Sequence, residues 1–362
     1  MGEAPPRPGF TPDPYGDAED NNEKAQAVEW IPDVTVLHRM LQAGKDEHGN
    51  PWPPPLVTDT NRELCEQIGV FGGQNDDNRV ALNAIPMRGK DLLGKGIDYS
   101  STRMKRAPRV LCMVYTMENN HHTNIRAIRE TWGPGCDGFL AFSTRDDPRL
   151  PAISLPHDGE EAYGNMWQKV RSIWRFVGTH YLEDFDFFFQ GGEDLYVLPQ
   201  NLRSYLADAI DDPNTQDFFG GRRFQQGSQN IFFNSGGAGY ALSRATLRKL
   251  IDTGLDHPGC FPDKKSSMED VFIARCLKDV FEIGLVDTRD EKGRERFHPF
   301  SPGSHYTWEP PTNGKRDWYE AYNRLWPPKL KEECCAPDSV SFHYMKKPAM
   351  VRHVHALLYN CD

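Results

Sequence analysis

From Arg109 onward the chain alternates short apolar runs with amphipathic stretches, and that alternation admits few architectures. RVLCMVYTM reads as a strand, and TNIRAIRETW as a helix with Ile125, Ile128 and Trp132 on one face. GFLAFST reads as a second strand and NMWQKVRSIWRFVGTHYL as a longer amphipathic helix. FDFFFQG is a further strand, followed by a helix with Pro199 in its first turn and Leu202, Leu206 and Ile210 as its apolar stripe. Strands alternating with helices predict an α/β domain whose central sheet is mostly parallel and covered on both faces. Ligands of such sheets sit beyond the carboxyl ends of the strands. Gly191, Gly192, Glu193 and Asp194 fall at one of those ends.

The residues before this region have a different texture. MGEAPPRPGFTPDPYGDAEDNNE is rich in Pro and acid and reads as disordered. Two weak helical patterns follow, Val34, Leu37 and Leu41, then Leu64 and Ile68, separated by the extended NPWPPPLV. Residues 1–105 are therefore read as a largely disordered, Pro-rich acidic stem, and 106–362 as the folded domain. With 42 Lys+Arg against 52 Asp+Glu the formal charge is −10, which argues against nucleic acid as a partner. No apolar run approaches the roughly 18 residues of a spanning helix. A soluble chain is expected, attached to a membrane only through an anchor this sequence does not contain.

Three stretches carry candidate chemistry. In QGGED the glycines would let a bulky ligand approach the backbone, and a carboxylate would hold a hard divalent cation bridging to phosphates; the plainer reading is a solvated turn. In NSGGAGYALSRATLRKL, Gly236, Gly237 and Gly239 leave no side-chain wall, and Ser243 looks like a helix N-cap with Leu242 and Leu247 as its staple. In KKSSMEDVFIARCL, Ser266 with Glu269, or Ser267 with Asp270, fits a capping box, so one of the two acids could be purely structural. A single histidine in an apolar setting, such as His298 between Phe297 and Pro299, is more often a core residue than a ligand.

Taken in order, these segments together with IRETW, MWQKV, DLYVLPQNLR, RERFHPF, WYEAYNRLWPP and ECCAPDSVSFHY resemble the core 1 β1,3-galactosyltransferase group of the β1,3-glycosyltransferases, glycosyltransferase family 31. The resemblance runs from about Arg109 to Leu358. It implies a GT-A (Rossmann-like) α/β fold with a mostly parallel central sheet. It also implies inverting transfer of galactose from UDP-galactose to the 3-hydroxyl of an O-linked N-acetylgalactosamine on a glycoprotein or glycan acceptor, with Mn2+ as cofactor. Members are type II Golgi membrane proteins with luminal disulfides, and a homodimer is an assembly the resemblance admits.

Carried over residue by residue, the family's run of three aspartates falls on Gly192, Glu193 and Asp194, so the first acid is absent here. Asp194 and His298 are the metal ligands the resemblance implies. Glu193 is assigned to donor binding or to help with the metal, and Asp194, Gly236 and Gly237 to the donor; Arg126 and Arg129, at helix spacing, are read either as offsetting diphosphate charge or as solvated salt-bridge residues. Asp270 is the general base, Glu269 being the capping-box partner of Ser266. The altered motif keeps a second reading open, a non-catalytic chaperone-like relative, and no residue excludes another donor such as UDP-N-acetylglucosamine. Cys112, Cys136, Cys260, Cys276, Cys334 and Cys335 match family cysteines and are expected to be oxidised. Adjacent Cys334 and Cys335 do not easily bond to each other, so each is expected to have a distant partner.

Overall fold

The computed structural model describes residues 77–85, 87, 97–147, 149–226, 231–312 and 317–359. The two weak helical patterns of the stem, Cys65 and Cys361 lie outside them. In chain order the elements are α1 (Asp77–Ala84), β1 (Val110–Tyr115), α2 (Arg126–Glu130), β2 (Gly138–Ser143), β3 (Ala152–Ser154), α3 (Met166–Tyr181), β4 (Phe187–Gly192) and β5 (Tyr196–Val197). Next come α4 (Pro199–Ala209), β6 (Phe219–Gly221), β7 (Arg223–Gln226), β8 (Ile231–Asn234), β9 (Tyr240–Ser243), α5 (Arg244–Lys249) and α6 (Glu269–Phe281). The last are β10 (Phe297–His298), α7 (Pro302–Thr307), α8 (Trp318–Tyr322), β11 (Ser341–Phe342) and α9 (Pro348–Tyr359).

The main sheet runs β3-β2-β1-β4-β9-β6. Its first four strands are parallel to one another, while β9 is antiparallel to both of its neighbours. The mixed α/β architecture with a mostly parallel sheet is the one the alternation predicts. β4 explains why: successive side chains of a strand face opposite sides, and Phe187, Phe188 and Phe189 are all fully buried. Phe187 and Phe189 join Ile128, Trp132, Leu202, Leu206 and Val354 on one face. Phe188 joins Trp167, Ile173, Trp174, Ile273 and Leu277 on the other. A strand buried on both faces needs helices on both, which is what α2, α4 and α9 against α3 and α6 supply.

Two small sheets extend this frame, β10-β11-β5 and the β7-β8 hairpin. In the first, β11 pairs antiparallel with β5, which follows directly on the acid turn after β4. That pairing carries the segment after Phe342 back to the end of the central sheet. Ser243 caps α5 by accepting from the Thr246 backbone N–H, as its sequence context predicts.

Two expectations change. First, α1 lies within the span read as stem, yet it is docked: Asn78 Oδ1 accepts from the Gly303 backbone N–H at 2.9 Å, and Ala81 and Ile85 are buried in the main core. Short, polar DNRVALNA carries too few apolar positions for periodicity to reveal this. A chain beginning near Arg103 is therefore expected to be less stable than one beginning near residue 75 by on the order of 2–4 kcal/mol, the scale of exposing one or two buried aliphatic side chains and losing a cap. Urea midpoints measure the difference; coincident transitions for the two chains would show that α1 contributes nothing. Second, Cys334 is bonded to Cys335. The other described cysteines pair as Cys112–Cys136 and Cys260–Cys276, and no described cysteine is free.

Candidate active site

The site begins where β4 stops. Gly191 and Gly192 end the strand, and the chain turns at once, with Leu195 N–H bonding back to the Gly192 carbonyl at 3.3 Å. Glu193 and Asp194 thus leave the sheet at its carboxyl edge and diverge. The Glu193 carboxylate accepts from the Thr116 hydroxyl and, at 2.5 Å, from the Asn120 amide, so it is tied to the segment following β1. Burial pushes its carboxyl up to about 7, with the Asp194 charge adding to the effect and the Thr116 and Asn120 hydrogen bonds opposing it. Buried Lys169 of α3 extends the network, donating to the Thr116 carbonyl at 2.9 Å and to Glu161 at 2.5 Å.

Asp194 meets a different partner. Its Oδ1 lies 3.1 Å from His343 Nε2, and its own carbonyl accepts from the Met345 N–H at 2.8 Å, which clamps the segment following Phe342 against the turn. Burial opposes ionisation of Asp194, but His343 beside it holds the carboxyl below its usual value. The other ring nitrogen, Nδ1, faces the Pro299 carbonyl at 3.3 Å. A carbonyl can only accept, so Nδ1 faces it with its proton, and Nε2 is left to meet the Asp194 carboxylate. At that separation the two atoms are held together either by a proton on Nε2 or by a cation that both would bind. One carboxylate and one imidazole are donors that suit Mn2+ better than Mg2+.

His298 is not part of this arrangement. It is fully buried, bonded through Nε2 to Ser339 Oγ at 2.9 Å, with its ring stacked on Phe342 at 4.5 Å. Burial first, and His305 next, hold its pKa well below the usual value. β10 pairs alongside β11 inside the sheet, so His298 packs in the core with its Nδ1 buried and without a hydrogen-bond partner among the described residues, and no hydrogen bond joins it to Asp194, the residue it was expected to stand with. Sequence reasoning passed over His343, although SFHY lies within the segments that carry the resemblance. The available signal was an imidazole immediately after a short buried strand.

The glycine turn before β9 sets the second pair of acids. Asp270 Oδ2 accepts from the Gly236 N–H at 2.9 Å and Oδ1 from the Val271 N–H at 2.9 Å. Glu269 accepts from the Tyr240 hydroxyl at 2.9 Å. Burial, and then the neighbouring Asp270, push the Glu269 carboxyl far above its usual range. A Cβ at residue 236 would collide with Glu269, and one at residue 237 with the His343 ring. The turn is glycine because it is wedged between the two groups, and it is what brings Asp194 with His343 to one side and Glu269 with Asp270 to the other.

The capping box does not form. Met268 is the residue before α6, without a side-chain cap, and Ser266 Oγ accepts instead from the Met268 N–H at 3.1 Å. Glu269 therefore points into the site rather than back along its helix. Arg126 stands apart as well. It is exposed and paired with Glu130 at 2.7 Å, on the wall of a pocket of about 420 Å³ that it shares with His122, Arg129, Asp147 and Arg149. It makes no hydrogen bond or ion pair with the acids after β4.

No protein-family model matches the chain. Over 250 residues, 69% of the chain, it is 32% identical to the glycoprotein-N-acetylgalactosamine 3-beta-galactosyltransferase 1 of Xenopus laevis, covering 66% of that protein. It is 30% identical over 238 residues to the human chondroitin sulfate glucuronyltransferase and 24% identical over 236 residues to the human chondroitin sulfate synthase 3. These alignments take in 61% and 59% of the chain but only 30% and 24% of the two proteins. The chain thus spans just under two thirds of the first relative and less than a third of the others.

Proposed function

Because the chain belongs to the glycoprotein-N-acetylgalactosamine 3-β-galactosyltransferase group of glycosyltransferases, we propose that it is an inverting hexosyltransferase. In this reading it moves galactose from UDP-galactose to the 3-hydroxyl of an N-acetylgalactosamine on a glycoprotein or glycan acceptor. The observation that carries the reading is the glycine turn at 236–237, packed between His343 on the Asp194 side and Glu269 with Asp270 on the other. An in-line displacement needs the leaving group and the base on opposite sides of the reacting carbon, and the two pairs offer such sides.

Asp194 and His343 would hold the divalent cation, Mn2+ on the chemistry of the donors, and its contribution when bound is to offset charge on the departing diphosphate. Asp270, its carboxylate fixed by two backbone N–H groups, takes the proton of the acceptor hydroxyl as the new C–O bond forms and the bond to UDP breaks. Glu193, held by Thr116 and Asn120, orients the turn that presents Asp194. The Cys112–Cys136 and Cys260–Cys276 disulfides suit a secretory lumen such as the Golgi. Among the described residues no helix is long and apolar enough to cross a membrane.

A panel of UDP-sugars, with and without Mn2+, tests this by thermal shift and by transfer to an N-acetylgalactosaminide, since a ligand stabilises by mass action. UDP-galactose is expected to raise the melting temperature in Mn2+ and to support transfer. A preference for UDP-N-acetylglucosamine would change the sugar and keep the reaction class. Gly192, standing where the family motif has an acid, favours one competing reading, a chaperone-like relative, and failure to bind any UDP-sugar would select it.

A further inference from the structure

Tyr115, the last residue of β1, has no place in the reaction as described above. In the parallel β1–β4 pairing it stands opposite Gly192. A Cβ built on Gly192 would lie 3.3 Å from Tyr115 Cε2, 3.4 Å from its hydroxyl and 3.1 Å from Asp194 Oδ1. The phenol therefore occupies the space that a side chain at residue 192 would fill, and it shares that space with the Asp194 carboxylate. Unlike the five residues before it in β1, Tyr115 is only partly buried. Its hydroxyl forms no hydrogen bond among the described residues and is not sealed from solvent. The groups acting on it electrostatically are Glu269, Asp194, Tyr163 and Asp270, so it lies within the field of both acid pairs.

We propose that the Tyr115 hydroxyl is a sugar-binding group that donates a hydrogen bond to a hydroxyl of the hexose being transferred. The inference rests on the glycosyl-transfer reading. The diphosphate belongs to the Asp194 side and the acceptor to the Asp270 side, so the transferred ring must lie between them. Tyr115 is the uncommitted donor that both sides feel. A phenol is protonated at neutral pH, so it meets a sugar hydroxyl as a donor. Gly192 then leaves room for the phenol, since a Cβ there would crowd both Asp194 Oδ1 and the ring and oblige one of them to shift.

The test is Tyr115→Phe in the full chain, which keeps the ring and removes one oxygen. UDP affinity in Mn2+ is expected to stay within twofold of wild type, while kcat/KM for the UDP-hexose falls about tenfold, the scale of one hydrogen bond to an uncharged group. UDP-deoxyhexoses sharpen the readout: one deoxy position should cost the wild type about tenfold and Tyr115→Phe nothing further. A merely structural role would leave that discrimination intact in the variant. The proposal is overturned if UDP alone is weakened by the same factor, which would make Tyr115 a diphosphate contact, or if kcat/KM stays within twofold. A wild type that binds UDP but no UDP-hexose overturns the glycosyl-transfer reading as well, whereas a wild type active on UDP-hexose beside an indifferent Tyr115→Phe overturns this inference alone.

Discussion

Asp270→Asn is expected to bind UDP and acceptor as the wild type does and to turn over at least about a hundredfold more slowly, the usual loss on removing a positioned base. Glu269→Gln is expected to stay within about tenfold of wild type. The two acids are adjacent on α6, and their surroundings separate them. Glu269 is buried, takes its hydrogen bond from a phenol, and has its carboxyl pushed far above the usual range by burial and by Asp270. Both effects favour its uncharged form over the carboxylate, so a neutral amide of the same shape is the replacement its surroundings tolerate best. Asp270 instead receives two backbone N–H groups, donors that favour the carboxylate over the acid. A base must be ionised before the reaction, and two carboxyls this close share the burden unequally. Steady-state rates for the two variants decide the matter. If Glu269→Gln abolishes turnover and Asp270→Asn retains it, the roles are reversed; if both stay active, the base lies elsewhere.

Much of the fold was legible because burial on both faces of β4 leaves its mark in composition. Three consecutive phenylalanines cannot alternate core with solvent, so the strand had to be central and its neighbours helical. The stripes Ile125–Ile128–Trp132 and Leu202–Leu206 are helical repeats that the sheet needs for cover, and each packs where its period places it. The order of the acids was legible too, since QGGED ends a strand and MED opens a helix. What the sequence concealed was which partner each acid meets. The Ser266–Glu269 spacing fits a capping box, but Ser266 bonds two residues ahead to Met268, and Tyr240 offers Glu269 a partner from β9. That competition is tertiary, and no local pattern announces it. Tyr115 reads as one more apolar residue of a strand until its register against Gly192 is known.

Asp194→Ala and His343→Ala are each expected to weaken UDP binding by about a hundredfold or more in Mn2+ and to leave the weak metal-free binding unchanged, whereas His298→Asn should leave the Mn2+ effect within a few-fold. Losing even a group behind a metal ligand commonly costs 10–100-fold, so losing a ligand itself should cost no less. The physical reason lies in proton bookkeeping at His343. With Nδ1 committed to the Pro299 carbonyl, Nε2 stands 3.1 Å from Asp194 Oδ1, a contact that a proton on Nε2 or a metal ion bound by both makes favourable. His298 has no such contact. Its Nε2 is satisfied by Ser339 and its ring is packed on Phe342, so replacing it removes core contacts and should lower the melting temperature without touching metal affinity. Calorimetric titration of UDP with and without Mn2+, beside a melting curve for each variant, separates the two effects. The assignment fails if His343→Ala binds UDP in Mn2+ as tightly as the wild type does, and it moves to β10 if His298→Asn alone abolishes the metal effect while its fold stays intact.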